Sequence, residues 1–126
     1  MNVSIEKSAD TWQVGEVVLQ SRFLLGTAGY PSPQVLAESI AVAQTQIVTV
    51  GLKRTLAAQG DNGFVTIIQN ALKQGRARLL PNTAGCRSAR EAIQLAHMAR
   101  ELYDTPWLKL EVVGDEHTLQ PDPFEL

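Results

Sequence analysis

Cysteine is almost absent from this 126-residue sequence. That scarcity limits the disulfides and metal sites that the protein can form and indicates the redox state of its compartment. The single cysteine, Cys86, cannot form a disulfide within the chain and fits a reducing compartment. Cys86 and the two histidines, His97 and His117, show no ligand spacing. We therefore expect a fold without disulfides and a site without metal.

Long hydrophobic runs and an excess of one charge are also missing. No apolar stretch is long enough to span a bilayer, and residues 1–7 lack the apolar core of a signal peptide. The 11 Lys and Arg residues are scattered and nearly balance the 13 Asp and Glu residues, for a net charge of −2. The sequence therefore favours a cytoplasmic protein and argues against nucleic acid or a membrane as its partner.

Short aliphatic runs that end in loop-forming residues recur along the chain, each typical of a parallel strand covered on both faces. They occupy residues 23–25, 46–50, 78–80 and 107–113. Helical patterns lie between them. Ser32, Asn62 and Ser88 are predicted helix starts, and Gly75 is a predicted helix end. The alternation predicts an α/β fold of consecutive strand–helix units.

The spacing of these units indicates a particular architecture. A strand every 25 to 30 residues, roughly, is what a (β/α)₈ barrel of about 250 residues requires, and this chain has room for about four units. Residues 3–5 and 16–19 suggest a leading hairpin, and residues 122–125 read as a further helix start. We interpret residues 1–126 as one truncated barrel domain, with a hairpin in 1–20 and four units in 21–126.

The last strand carries the candidate chemistry. Side chains alternate along a strand, so Lys109 and Glu111 are predicted on one face, opposite Leu108, Leu110 and Val112. If that polar face looks into a closed site, desolvation favours the neutral, nucleophilic form of a lysine amine. The alternative is a sheet edge with one hydrated face, where such a pair is ordinary.

Four segments resemble thiazole synthase of thiamine (vitamin B1) biosynthesis, and they follow one another in the family's order. They occupy residues 79–86, 89–101, 107–115 and 118–123, and a weaker similarity covers 25–27 with 30–32 and 48–50 with 53–54. The resemblance implies a (β/α)₈ barrel, of which this chain would be the N-terminal half. The loop Gly26-Thr27-Ala28-Gly29 departs from the family pattern at its lysine position.

The resemblance also implies a reaction. A strand lysine, here Lys109, would form an imine (Schiff base) with 1-deoxy-D-xylulose 5-phosphate, and Glu111 would act as acid and base. Sulfur would come from the thiocarboxylate of a ubiquitin-like carrier protein, and dehydroglycine would close the thiazole ring. Asn82 and Thr83 are expected to bind substrate or to satisfy loop backbone. No cofactor is implied, and the full-length protein is expected to be a homo-oligomer.

Two other interpretations stay open. A lysine-dependent aldolase would use the same imine to cleave a carbon–carbon bond. A non-catalytic remnant would at most bind a partner, such as another half barrel or the carrier protein. Lys53 and Arg54, after the second strand, would direct positive charge toward a phosphate or the carrier tail, or remain solvated. If the site is incomplete, the chain alone is expected not to make thiazole.

Overall fold

The computed structural model describes residues 10–57, 64–75 and 77–126, which form a hairpin followed by parallel strands and helices. In chain order the elements are β1 (Trp12–Val14), β2 (Val17–Leu19), β3 (Leu24–Gly26), α1 (Pro33–Ala43), β4 (Ile47–Gly51), α2 (Leu52–Ala57), α3 (Phe64–Gly75), β5 (Arg78–Asn82) and α4 (Ala89–Tyr103). No helix among the described residues is long and apolar enough to cross a membrane.

The leading hairpin pairs β1 with β2 in antiparallel register. Its predicted second strand is confirmed, whereas the first strand predicted at residues 3–5 lies outside the described residues. The indole of Trp12 donates to the carbonyl of Ser21 at 2.8 Å. The backbone N–H groups of Gln20 and Ser21 donate to Gln46 Oε1 at 2.6 and 2.9 Å. Because Gln46 directly precedes β4, the hairpin is fixed at the amino ends of the parallel strands.

The parallel sheet has the order β3-β4-β5, and its helix-covered face forms the core. Leu25, Val48 and Leu79 are in register across the three strands. They belong to one buried apolar cluster with side chains of α1 and α3, namely Leu36, Ile40, Ile68 and Leu72. Alternate residues of the strands therefore face away from these helices, and that second face, here called the concave face, carries the candidate site.

Helix starts follow the predicted capping chemistry. Ser32 Oγ accepts the N–H of Val35 at 3.2 Å, and Ser88 Oγ accepts the N–H of Glu91 at 3.3 Å. The Glu91 carboxylate reaches the N–H of Arg87 at 3.0 Å, one residue before the cap. Gly75 ends α3 as predicted, while the proposed cap Asn62 lies outside the described residues.

Helix α2 was not predicted. It begins directly after β4, without an intervening loop, and Leu52 at its start is fully buried. Lys53 and Arg54, placed after the second strand by the sequence, therefore lie in the first turn of a helix rather than in a loop. A six-residue helix without a capping residue leaves little periodicity to detect.

The predicted fourth strand, residues 107–113, joins the sheet through a single parallel bridge, between Asn82 and Lys109. The pairing does not extend from Lys109 toward Trp107, because the next hydrogen bond of the ladder would need an N–H at residue 81, which is proline. The backbone groups that would have continued the ladder bind Thr105 instead. Its hydroxyl accepts the N–H of Trp107 at 3.2 Å and donates to the carbonyl of Leu79 at 3.5 Å. The sheet thus has three strands and one bridged segment, and within the described residues it does not close into a barrel.

The segment after the bridge folds back on α4. An antiparallel bridge joins Val113 to Pro121. Asp122 Oδ1 accepts the N–H groups of Phe124 and Glu125 at 2.9 and 3.0 Å, as a capping residue would, and residues 123–125 form a turn where the sequence predicts a helix start. Glu125 Oε2 in turn accepts the N–H of Ala89 at 2.6 Å, at the start of α4.

Candidate functional site

The carboxyl ends of the strands bring Gly51, Asn82 and Lys109 into one row. Gly51 is in register with Asn82, and Asn82 is bridged to Lys109. A side chain at Gly51 would place its Cβ 3.5 Å from Asn82 Oδ1. Glycine therefore leaves the concave face open beside Asn82, at the end of the sheet where barrel enzymes carry their active sites.

Lys109 and Glu111 form an ion pair on this face. Lys109 Nζ lies 3.1 Å from Glu111 Oε1, and the two side chains are 54% and 33% exposed. The next residue, Val112, is buried on the other side with Cys86 and Ala92 of α4. The two charged side chains are thus on one face, although Leu110 on the other face is 48% exposed.

Backbone hydrogen bonds from the end of β5 hold this pair in place. The N–H of Lys109 donates to the carbonyl of Pro81 at 2.8 Å, and its carbonyl accepts the N–H of Thr83 at 3.2 Å. The Thr83 hydroxyl accepts the N–H of Glu111 at 2.7 Å and donates to the Glu111 carbonyl at 2.8 Å. Each charged residue is therefore fixed through its main chain.

The two residues predicted to bind substrate have different surroundings. Asn82 lies beside Lys109 in the row and is 8% exposed. Its Oδ1 accepts the N–H of Ala84 at 3.2 Å, which satisfies loop backbone. Thr83 is fully buried, and its hydroxyl contacts Glu111 rather than the open face. Sequence reasoning missed this second contact, since 28 residues separate the partners and no local pattern links them.

Lys53 braces the loop between β5 and α4. Its Nζ donates to the carbonyl of Gly85 at 3.0 Å and lies 2.8 Å from Glu91 Oε1. The hydrogen bond from Lys53, helped by the N–H of Arg87, lowers the pKa of Glu91 below its ordinary value. Gly85 has φ +86°, a left-handed conformation that glycine adopts without strain. Arg54 Nη2, by contrast, lies beside Gly51, 3.9 Å from where its Cβ would be.

The remaining polar candidates lie away from the row. Cys86 is fully buried, and burial raises the pKa of its thiol, so it is a structural cysteine. His97 is exposed on α4, and His117 is exposed in a turn where its N–H donates to Asp115 Oδ1 at 2.9 Å. The N–H groups of Thr118 and His117 lower the pKa of Asp115. Among the described residues, no three His, Cys, Asp or Glu side chains are placed to hold a metal ion.

A surface concavity of about 910 Å³ lies at the opposite end of the sheet. Residues that precede β4 and residues of α1 and α3 line it, among them Gln46, Thr45 and Asn70. None of its lining side chains is titratable. The concavity therefore offers no general acid or base, and no base to activate the hydroxyls of Ser21 or Thr45, so the row at the carboxyl ends remains the candidate site.

Comparison with known proteins assigns this sequence to a family. A family model described as thiazole biosynthesis protein ThiG matches residues 13–126. The chain belongs to the ThiG family. A thiazole synthase of Coxiella burnetii is 50% identical to it over 115 residues, which are 91% of this chain and 43% of the relative. Those of Erwinia pyrifoliae and Gluconobacter oxydans are 52% and 53% identical and are covered to 42% and 41%.

The chain thus spans less than half the length of the thiazole synthases that it matches. The residues that match the family model nevertheless include all four candidate site residues, Asn82, Thr83, Lys109 and Glu111. Membership in the family does not by itself assign a role to any of them, and the roles have to be argued from their contacts.

Proposed function

We propose that this chain supplies the imine-forming part of a thiazole synthase, with Lys109 as the residue that bonds to substrate. The observation that carries the proposal is the Lys109–Glu111 pair, 3.1 Å apart on the concave face at the carboxyl end of the sheet. A primary amine beside a carboxylate at this edge has the groups needed for carbonyl addition and proton transfer.

The first step joins the amine to a ketose phosphate. The Lys109 nitrogen adds to the ketone carbon of 1-deoxy-D-xylulose 5-phosphate, and the resulting carbinolamine loses water to give an iminium ion. Glu111 takes a proton from the Lys109 ammonium, which frees the amine for attack, and returns a proton to the hydroxyl that leaves as water. The iminium then acts as an electron sink, which acidifies the adjacent C–H bonds and allows Glu111 to move further protons.

Later steps require the partners that the resemblance to thiazole synthase implies. Sulfur enters from a thiocarboxylated carrier protein, and dehydroglycine contributes the remaining ring atoms to give thiazole phosphate. Both the ketose phosphate and a carboxyl-terminal peptide are anionic. Arg54, whose guanidinium lies beside Gly51, brings positive charge to the same row. No cofactor is required by this scheme, and the cytoplasm is the compartment that it fits.

Borohydride trapping tests the assignment in a full-length hybrid enzyme that carries this chain. Incubation with 1-deoxy-D-xylulose 5-phosphate and reduction should leave a covalent adduct that peptide mass spectrometry locates at Lys109. Lys109→Arg keeps a cation beside Glu111 but forms no such imine, so adduct and thiazole phosphate should both disappear. Lys73→Arg, at an exposed position in the last turn of α3, is the matched control and should leave both unchanged.

The hybrid enzyme distinguishes a chain whose Lys109 does not react from a chain that only lacks the remaining part of the enzyme. In it, this chain replaces the 115 matching residues of the Coxiella burnetii thiazole synthase. An adduct at Lys53 or Lys73, with Lys109 untouched, would refute the proposal. An adduct at Lys109 followed by carbon–carbon cleavage of the sugar would favour the aldolase, and a hybrid without any adduct would favour a non-catalytic remnant.

A further inference from the structure

The ladder between β5 and residues 107–113 ends in an unusual way. In a regular parallel ladder, the bridge between Asn82 and Lys109 would be followed by two more bonds. The Glu111 N–H would donate to the carbonyl of residue 83, and its carbonyl would accept the N–H of residue 85. The chain turns before either bond can form, because the carbonyl of Thr83 accepts the N–H of Cys86 at 3.1 Å.

The Thr83 side chain replaces both of those bonds. Its hydroxyl accepts the N–H of Glu111 at 2.7 Å and donates to the carbonyl of the same residue at 2.8 Å. A hydroxyl can do this since it carries one donor and two acceptor sites. Thr83 is fully buried, so water does not compete for these contacts.

The backbone of Thr83 completes the arrangement. Its N–H donates to the carbonyl of Lys109 at 3.2 Å, so a single residue binds the main chain of both members of the ion pair. We propose that Thr83 is the positioning residue of the Lys109–Glu111 pair. It sets the distance between amine and carboxylate and does not contact substrate. This inference rests on the proposed function for its catalytic consequence, but not for its structural one.

The loop that carries Thr83 is itself held from outside. Lys53 Nζ donates to the carbonyl of Gly85 at 3.0 Å and pairs with Glu91 of α4. The carbonyl of Cys86 accepts the N–H of Val113 at 2.7 Å, which fixes the segment beyond Glu111 as well. Thr83 therefore acts from a fixed point, and loss of its hydroxyl should loosen Glu111 more than the loop.

Hydrogen exchange on the 126-residue chain tests the structural part. Thr83→Val removes the hydroxyl and should speed amide exchange at Glu111 by about tenfold, since the hydrogen bond to that N–H is lost. Exchange at Lys109, whose N–H binds Pro81, should change little. Thr83→Ser should restore slow exchange at Glu111. Thr45→Val is the matched control, because Thr45 is equally buried but binds backbone at the amino end of β4.

Steady-state kinetics of the hybrid enzyme test the catalytic part. Thr83→Val should lower kcat by about 10- to 100-fold, because small displacements of reacting groups have effects of this size. KM for 1-deoxy-D-xylulose 5-phosphate should stay within about twofold. Thr83→Ser should recover most of kcat, and Thr45→Val should leave both parameters unchanged.

The outcomes are separable. A raised KM with unchanged kcat in Thr83→Val would overturn the positioning role in favour of substrate binding. Unchanged amide exchange at Glu111, or equal acceleration at Glu111 and Lys109, would refute the claim that the Thr83 hydroxyl holds the Glu111 backbone. Absence of any imine at Lys109 in the unaltered protein would refute the proposed function, whereas the exchange experiment would still decide whether Thr83 holds Glu111.

Discussion

At the scale of single residues, alternation predicted which charges would meet, but not what holds them. The spacing of Lys109 and Glu111 was enough to place both on one face, and their side chains lie 3.1 Å apart. The hydroxyl of Thr83 could not be foreseen, because a bond between side chain and backbone across 28 residues leaves no periodic trace. The same holds for Lys53, whose partner Glu91 lies on another element.

The Lys53–Glu91 pair gives the stability a definite dependence on pH. Because the folded state lowers the pKa of Glu91 from its ordinary value of 4.5, the pair stabilises the fold above that pH. The contribution begins to fall as the pH drops below 4.5 and is lost once the carboxylate of the folded state is protonated as well. Glu91→Gln should therefore lower the urea midpoint at pH 6, and the difference from the unaltered chain should be smaller at pH 3.

Urea unfolding at the two pH values, followed by circular dichroism, measures this difference. Glutamine still offers an oxygen to the N–H of Arg87, so the substitution removes mainly the charge. Glu101→Gln, at an exposed position of the same helix, should leave the midpoint unchanged at both pH values. A gap between Glu91→Gln and the unaltered chain that is the same at pH 6 and pH 3 would contradict the argument.

At the scale of elements, the sequence predicts strands and helix starts where local chemistry decides them. The three parallel strands and the caps at Ser32 and Ser88 depend on aliphatic runs and on capping side chains, which are both local. The fourth strand was predicted over residues 107–113, and this segment joins the sheet through a single parallel bridge. A proline in β5 removes the donor on one side of that bridge, and a turn after β5 removes the partners on the other. Such effects belong to the neighbouring strand, so periodicity within residues 107–113 does not reveal them.

The Ser88 cap should contribute measurably to the stability of α4, the helix whose Ala92 packs against Val112 of the segment that carries Lys109 and Glu111. Ser88→Ala removes the acceptor for the Glu91 N–H and should destabilise the chain by about 1 kcal/mol, whereas Ser88→Gly should cost only a few tenths. Ser39→Ala, the same substitution inside α1, should be neutral or slightly stabilising because alanine is the better helix former. Urea unfolding compares the three variants. Equal effects at Ser88 and Ser39 would show that the cap contributes nothing.

At the scale of the whole molecule, the described sheet has an open concave face and an open edge. β3 pairs only with β4 among the described residues, so its other side presents unpaired backbone groups. Leu24 of β3 alternates with the buried Leu25 and is 42% exposed, on the face away from α1 and α3. An apolar side chain on an unpaired edge favours association with another chain.

The 126-residue chain should therefore associate with itself in a concentration-dependent way. Leu24→Lys places a charge on the edge and should shift the chain toward monomer, because an ammonium is costly to bury in a strand pairing. Val42→Lys is the matched control, since Val42 is 85% exposed on α1 and the substitution adds the same charge away from the edge. Sedimentation velocity over a range of concentrations measures the distribution of species. If Val42→Lys disperses the chain as well as Leu24→Lys does, net charge rather than the β3 edge governs association, and a chain that stays monomeric at every concentration would contradict the prediction outright.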